Sequence, residues 1–291
     1  MSTKNLIILC SLAALWGASF FFIRVSVPTF GPFMLVELRL LLAVGALLLF
    51  AWMTRTKLDI FPHWKKYIWL GAINAAIPFA LISYAEITIP SSLAAILNAT
   101  TPIFTALIAW IWIREPLTWK KISGLVVGLI GVIVLVGWTP IPLHLKVFIA
   151  IICSLLATIG YGFGTIYAKR NFVSSPLELA IGQLLGASVF LLPFSLADLP
   201  LTIPSLPALF SLLGLAIGST AIAYLFYFQL LREIGPTQTL YVTFLVPVFG
   251  VIWGVLFLQE EMSWGAGLGM LLIFASIFLL AEIRIRKKRN G

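Results

Sequence analysis

Charge is scarce in this 291-residue sequence. Lys, Arg, Asp and Glu together make up 10% of it, against about 25% in an ordinary soluble domain. A chain so poor in charge, and 61% hydrophobic, cannot cover its apolar surface in water. That excludes a soluble globular enzyme, a disordered chain and a secreted disulfide scaffold. Cysteine is nearly absent. Cys10 and Cys153 both sit in apolar runs, so there is no disulfide framework and no metal-ligand spacing. His63 and His144 lie in or beside loops, and neither is placed as a metal ligand or a deep proton relay. No G-x-x-x-x-G-K-[ST] loop occurs, which removes ATP hydrolysis by that route. No H-E-x-x-H pair occurs, so an intramembrane metalloprotease is not expected. Neither metal nor cofactor is expected.

Long apolar runs are what the sequence has in excess. A helix of about 20 apolar residues crosses the hydrocarbon of a bilayer. Ten such spans are predicted, at 5–27, 32–53, 66–89, 91–113, 118–138, 146–169, 176–198, 206–231, 236–258 and 263–283. Pro and Gly punctuate them at Gly31-Pro32, Phe61-Pro62, Ile89-Pro90, Thr139-Pro140, Pro176, Pro200 and Gly235-Pro236, where they mark turns or first helical positions. The expected fold is an all-α integral membrane protein. The remaining residues are too few for a water-soluble domain.

The net charge of +9 does not point to nucleic acid, because the bases lie in the short connections between spans. Placing the N-terminus in the cytoplasm puts sixteen bases inside, ending with Arg284, Arg286, Lys287, Lys288 and Arg289, and only Arg24 and Lys146 outside. Arg39 is left within the second span. This bias predicts an inner-membrane protein with both termini cytoplasmic.

The sequence repeats itself after about 145 residues. The stretch 92–119 aligns without a gap on 237–264, so that Pro102 meets Pro247, Phe104 meets Phe249, Glu115 meets Glu260 and Trp119 meets Trp264. Trp16-Gly17 meets Tyr161-Gly162. Pro32 and Arg39 meet Pro176 and Gln183, and Gly71 and Tyr84 meet Gly214 and Tyr227. The predicted units are 1–140 and 141–291. Each holds five spans, an odd number, so the second must enter the membrane from the opposite side. Inverted repeats of this kind are typical of secondary transporters, because one architecture then opens to either face.

The duplicated ten-helix plan resembles the EamA-type branch of the drug/metabolite transporter superfamily. The marks are Trp16-Gly17-Ala18-Ser19-Phe20, Arg39, and the Pro-to-Glu stretch Pro102–Glu115 repeated as Pro247–Glu260. The resemblance spans nearly the whole chain. It implies an inner-membrane exporter of small metabolites, often amino acids, with helices three, four, eight and nine lining a central cavity.

The residues themselves suggest where such a cavity lies. Pro78, Pro102 and Pro247 fall near the middle of their spans. Each frees the carbonyl four residues earlier, at Asn74, Asn98 and Thr243, and a freed carbonyl in hydrocarbon needs protein or water as partner. Polar and amphipathic aromatic residues gather on the same spans. Asn98 and Thr101, and likewise Tyr224 and Tyr227, are three apart and share a helix face. Substrate contacts are therefore expected among Trp16, Arg39, Asn74, Tyr84, Asn98, Thr101, Tyr224, Tyr227 and Tyr241. Gating or helix breaking is expected at Glu37, Pro78, Pro102, Gln183 and Pro247. Interhelical hydrogen bonding is the alternative use of each polar residue.

Arg39 either anchors a substrate carboxylate with its planar fork or caps carbonyls at a gate; Glu37, Gln183 or a freed carbonyl is its expected partner. Glu37, close to the outer end, is expected to reach interfacial water and leaves proton coupling open. Glu115 and Glu260 read as solvated turns or helix caps. Gly124, Gly128 and Gly131 with Gly265 and Gly269 are spaced for close helix packing, internal or in a dimer. The expected partners are a small-molecule substrate and the bilayer, for a monomer or homodimer. The function expected is export of amino acids or related amphipathic metabolites by alternating access. The rivals are a drug or hydrophobic-cation exporter and, in another class, a membrane enzyme or lipid scramblase.

Overall fold

The computed structural model describes residues 2–116, 118–137, 144–197, 199, 203–239 and 241–280. The Thr139-Pro140 and Pro200 breakers, the boundary at 140/141, the end of the tenth span and the C-terminal basic cluster lie outside them. Among the described residues there is no strand.

Eight helices are long and apolar enough to cross a membrane. They are α1 (Thr3–Phe30), α2 (Pro32–Met53), α3 (Phe61–Ala85), α4 (Ser91–Ile113), α5 (Trp119–Val136), α6 (Leu145–Asn171), α7 (Pro176–Ala197) and α8 (Leu206–Gly235). Two shorter apolar helices complete the ten, α9 (Val242–Leu258) and α10 (Trp264–Leu280). The chain is thus a multi-pass helical membrane protein.

The helix starts follow from local side chains. Ser2 Oγ accepts the Asn5 N–H at 3.2 Å, Ser175 Oγ that of Glu178 at 3.2 Å, and Ser263 Oγ that of Ala266 at 3.0 Å. Each satisfies one of the orphan donors of a helix N-terminus. Pro32 opens α2, where its missing N–H costs nothing. The α1–α2 connection is a single residue, Gly31, at φ 70°.

Packing follows a two-fold plan. Helix α1 packs on α9, and its repeat counterpart α6 packs on α4. Helix α3 packs on α7, and α8 packs on α2. Likewise α3 meets α6 while α8 meets α1, and α5 meets its own counterpart α10. Small residues permit the closest crossings. A Cβ at Gly186 of α7 would collide with the Tyr67 carbonyl of α3. Gly131 and Gly269 face each other's carbonyls where α5 crosses α10, a Cβ on either lying about 3 Å from the other's oxygen. Gly128 packs against Ile103 and Ser276.

The repeat extends to irregularities of the backbone. Helix α3 widens to a π-helix over Ala72–Ala76, just after Gly71. Helix α8 does so over Gly214–Ile222, starting at the residue matched to Gly71. Arg114 ends α4 and Gln259 ends α9, both left-handed at φ 54°. The match fails in one place. Helix α4 is interrupted between Asn98 and Thr101, so Pro102 sits in the first turn of a fresh segment. Pro247 lies inside the continuous helix α9, whose preceding turn falls at Tyr241.

Candidate substrate cavity

The helix irregularities turn polar backbone inward, and nearby hydroxyls occupy much of it. Thr101 Oγ1 donates to the Asn98 carbonyl at 2.7 Å, the oxygen that Pro102 frees. Thr100 Oγ1 donates to Leu97 O at 2.7 Å. In α8, Thr220 Oγ1 donates five residues back to Leu215 O at 2.8 Å, a span that the π-helix makes possible. The same Thr220 oxygen accepts a 2.9 Å hydrogen bond from Arg39 Nε of α2.

These features surround a cavity of about 290 Å³. Trp16, Ser19, Phe20 and Ile23 of α1 form one side; Asn74, Phe79 and Ile82 of α3 and Asn98, Ala99, Thr101 and Pro102 of α4 form another. Tyr161 and Thr165 of α6, Ser219 and Tyr224 of α8, and Thr243, Val246 and Pro247 of α9 complete it, with Arg39 reaching in from α2. All four helices expected from the resemblance contribute, and α1, α2 and α6 join them.

Arg39 is 6% exposed and lies over the Phe79 ring, its Cζ 3.9 Å from the centroid. Phe79 in turn meets the edge of Tyr161. Among the described residues no carboxylate stands within ion-pair distance of Arg39. Its partners are Thr220 and Phe79, not Glu37, Gln183 or a freed carbonyl. The guanidinium is delocalised and weakly hydrated, which suits it to an aromatic face.

Gln183, the counterpart of Arg39, makes the matching crosslink. Asn74 Nδ2 donates to Gln183 Oε1 at 2.9 Å, and Gln183 Nε2 donates to Tyr224 OH at 2.7 Å. Arg39 ties α2 to α8; Gln183 ties α7 to α3 and to α8. Asn98 Oδ1 is buried and has no hydrogen-bond partner although its residue lines the cavity.

Of the residues singled out in the sequence, Trp16, Arg39, Asn74, Asn98, Thr101, Tyr224, Pro102 and Pro247 line this space. Tyr227 stands behind the wall, with its ring 5.6 Å from that of Trp16. Tyr241 is half-buried outside the lining. Tyr84 is 49% exposed on the bundle surface. Pro78 is buried, facing Gly160 of α6. Glu37 does not reach water: it is 2% exposed between α2 and α7, where Ser188 Oγ donates to one carboxylate oxygen. Sequence reasoning missed Phe79, Ile82, Tyr161 and Thr165. Tyr161 carried a signal, since it is the repeat partner of Trp16.

The ends of α4 and α9 behave differently from each other. Glu115 is exposed and pairs with Lys121 at 2.9 Å. That hydrogen bond holds the Glu115 carboxyl below the usual carboxylate range. Glu260 caps no adjacent helix; its two oxygens accept the Ser91 and Ser92 N–H groups of α4 at 2.7 and 2.9 Å.

A cavity at the middle of a duplicated helical bundle invites comparison with known proteins. The sequence matches the EamA-like transporter family twice, over residues 3–137 and again over 148–281. The chain belongs to that family. Among relatives of this EamA-like chain is the "Uncharacterized transporter YoaV" of Bacillus subtilis (strain 168), 26% identical over 98% of this chain and 99% of the relative. A second, of Escherichia coli (strain K12), carries the description "Probable amino-acid metabolite efflux pump" and is 22% identical over 96% of this chain and 95% of its own length. A solved crystal structure superposes at a TM-score of 0.68 and 16% identity, covering 97% of this chain and 98% of that one. It attests the fold alone. The family and these relatives are transporters, and the chain is read as one.

Proposed function

We propose that this protein is an inner-membrane secondary transporter that exports amino acids or closely related carboxylate-bearing metabolites by alternating access. The observation that carries the reading is Arg39, a buried cation on the cavity wall with no carboxylate within ion-pair distance among the described residues. A substrate carboxylate supplies the missing counter-charge through a bidentate contact. Asn98 Oδ1, an acceptor without a partner, suits the substrate's amino group. Phe20, Phe79, Trp16 and Tyr161 offer apolar faces for a side chain. The volume of about 290 Å³ lies at the small end of ligand pockets. The relative described as an amino-acid metabolite efflux pump supports the same class. A hydrophobic-cation exporter is disfavoured by the Arg39 charge.

Alternating access rests on the five-plus-five duplication with its matched packing. The distribution of Lys and Arg supports cytoplasmic termini, an orientation in which the end of the bundle holding Gly31, Glu86 and Glu260 faces outward. Reporter fusions at Gly291 and within 139–146 then give opposite sides; the same side for both sinks the topology. Proteoliposomes loaded with labelled amino acids, and in parallel with their methyl esters, test the substrate class with and without a pH gradient. Efflux of the acids well above the esters is expected. Equal efflux of both, or none of either, refutes it.

A further inference from the structure

The end of the bundle that faces outward in the proposed orientation holds two carboxylates that the cavity does not use. Glu260 fastens the end of α9 to the first turn of α4, one oxygen on each of two backbone N–H groups. A helix N-terminus carries partial positive charge, so the carboxylate is well placed there. This latch joins one repeat to the other. Gly254 makes room for it, since a Cβ at that position would lie 2.6 Å from Glu260 Oε2. At the opposite end Glu115 pairs with Lys121, and Ala109 occupies the position matched to Gly254.

Glu86 lies beside this latch. It follows the last turn of α3, four residues beyond the cavity residue Ile82. It is fully buried, at 0% exposure. Neither of its carboxylate oxygens has a hydrogen-bond partner. Arg24 of α1 is close, yet its guanidinium donates to the main-chain carbonyl of Glu86. The charged groups within electrostatic reach of the carboxyl are Arg24, Glu260 and Arg39, contributed by α1, by the segment after α9 and by α2. Glu260 is already committed to α4. A carboxylate stripped of water and of donors is strongly disfavoured, whereas the neutral acid avoids most of that penalty.

We propose that Glu86 is a proton-binding site, loaded with one proton each time the Glu260 latch closes this end of the bundle. The proposal rests on the alternating-access reading above. When Glu260 releases α4, water reaches Glu86, and its O–H bond breaks to give a carboxylate and a proton delivered to that water. Closure reverses the step. The closed form therefore binds one more proton than the open form, so falling pH favours closure. Between the two pKa values the closed-to-open ratio changes about tenfold per pH unit. Efflux of substrate through this gate is then linked to the proton concentration outside.

The test measures gate geometry and needs no substrate, so it stands apart from the substrate panel. Spin labels are placed at the exposed positions Ile87 and Met262, after Cys10→Ser and Cys153→Ala, and distances are measured in nanodiscs from pH 5 to 9. The wild type is expected to move from a short to a longer distance as pH rises. Glu86→Gln, isosteric and permanently neutral, is expected to hold the short distance throughout. Glu260→Gln weakens the latch, so its transition is expected at lower pH with the pH dependence retained. A wild-type distance unchanged from pH 5 to 9 overturns the proposal. So does a Glu86→Gln protein that titrates like the wild type.

Discussion

Replacement of Arg39 separates a substrate contact from a structural one. In Arg39→Gln the Nε bond to Thr220 and the stacking on Phe79 are lost, at about 1.5–3 kcal/mol for the hydrogen bond to a charged group and about 1–2 kcal/mol for the stacking. Thr220 is not stranded, because its hydroxyl already donates to Leu215 O. Removal of Arg39 thus leaves no buried polar group newly unpaired, and the loss of stability should be about 2.5–5 kcal/mol. The substrate-side loss is read separately, as affinity. A hydrogen bond to a charged group contributes about 1.5–3 kcal/mol, equivalent to roughly 10- to 150-fold in apparent affinity for the acid. The ester cannot offer the same charge-assisted pair, so its transport should change little. Arg39→Lys keeps the charge but not the fork, and should fall between wild type and Arg39→Gln. The assay is the concentration dependence of efflux from proteoliposomes for acid and ester, with thermal stability in detergent measured alongside. An unchanged acid-to-ester preference in both variants refutes the substrate role. Equal losses for acid and ester, together with a collapse in stability, would make Arg39 a structural crosslink instead.

Three further outcomes are expected. Asn98→Ala removes a cavity acceptor that has no protein partner, so it should lower efflux severalfold while thermal stability stays within about 1 kcal/mol of wild type; unchanged efflux would remove Asn98 from the site. Gly186→Ala forces a methyl into the Tyr67 carbonyl where α3 crosses α7, and overpacking of this kind costs about 1–3 kcal/mol or more, read as a lowered midpoint of thermal unfolding. Glu115 has its pKa lowered chiefly by the Lys121 hydrogen bond, so its contribution is complete above the ordinary carboxyl pKa and is lost as pH falls through the folded value. The pair is partly exposed, and the effect should be under about 1 kcal/mol. Glu115→Gln should flatten that part of the acid-side stability curve, and a variant as acid-sensitive as the wild type speaks against the pair.

The spans and their pairing were legible because both leave periodic traces. Apolar runs have a length set by the bilayer, and the match of 92–119 with 237–264 needs no structure to be seen. Several cavity residues were legible for the same reason, since Asn74, Asn98 and Arg39 are polar where polarity is costly. Phe79 was hidden because an aromatic residue facing a cavity looks like one facing lipid, and Tyr161 was marked only by its match to Trp16. The interruption of α4 at Ala99–Thr100 lies just before the proline, whose equivalent in α9 leaves the helix continuous. Such a difference depends on neighbours, not on local sequence. Glu260 reads locally as a turn, and only the fold brings it to Ser91, 169 residues away. Glu86 falls within the predicted span 66–89, near its end, and only the fold shows that its carboxyl is buried.

The π-helices of α3 and α8 bear on how this family tolerates insertions and deletions. A π-helical turn accommodates one residue more than the α-helix needs, and deletion of that residue returns the helix to regular winding. Each residue of an α-helix turns the chain by about 100°. Because the π turn absorbs the extra residue, one deletion within 214–222 would leave Tyr224 facing the cavity and Gln183, and would cost instead the bond from Thr220 back to Leu215. A deletion elsewhere in α8, where the helix is already regular, would swing everything beyond it by that angle. A deletion in 72–76 would likewise spare the aim of Phe79. At these two places a relative can lose a residue without turning the cavity wall, and an alignment gap set elsewhere in the same helix would pair residues that face different sides.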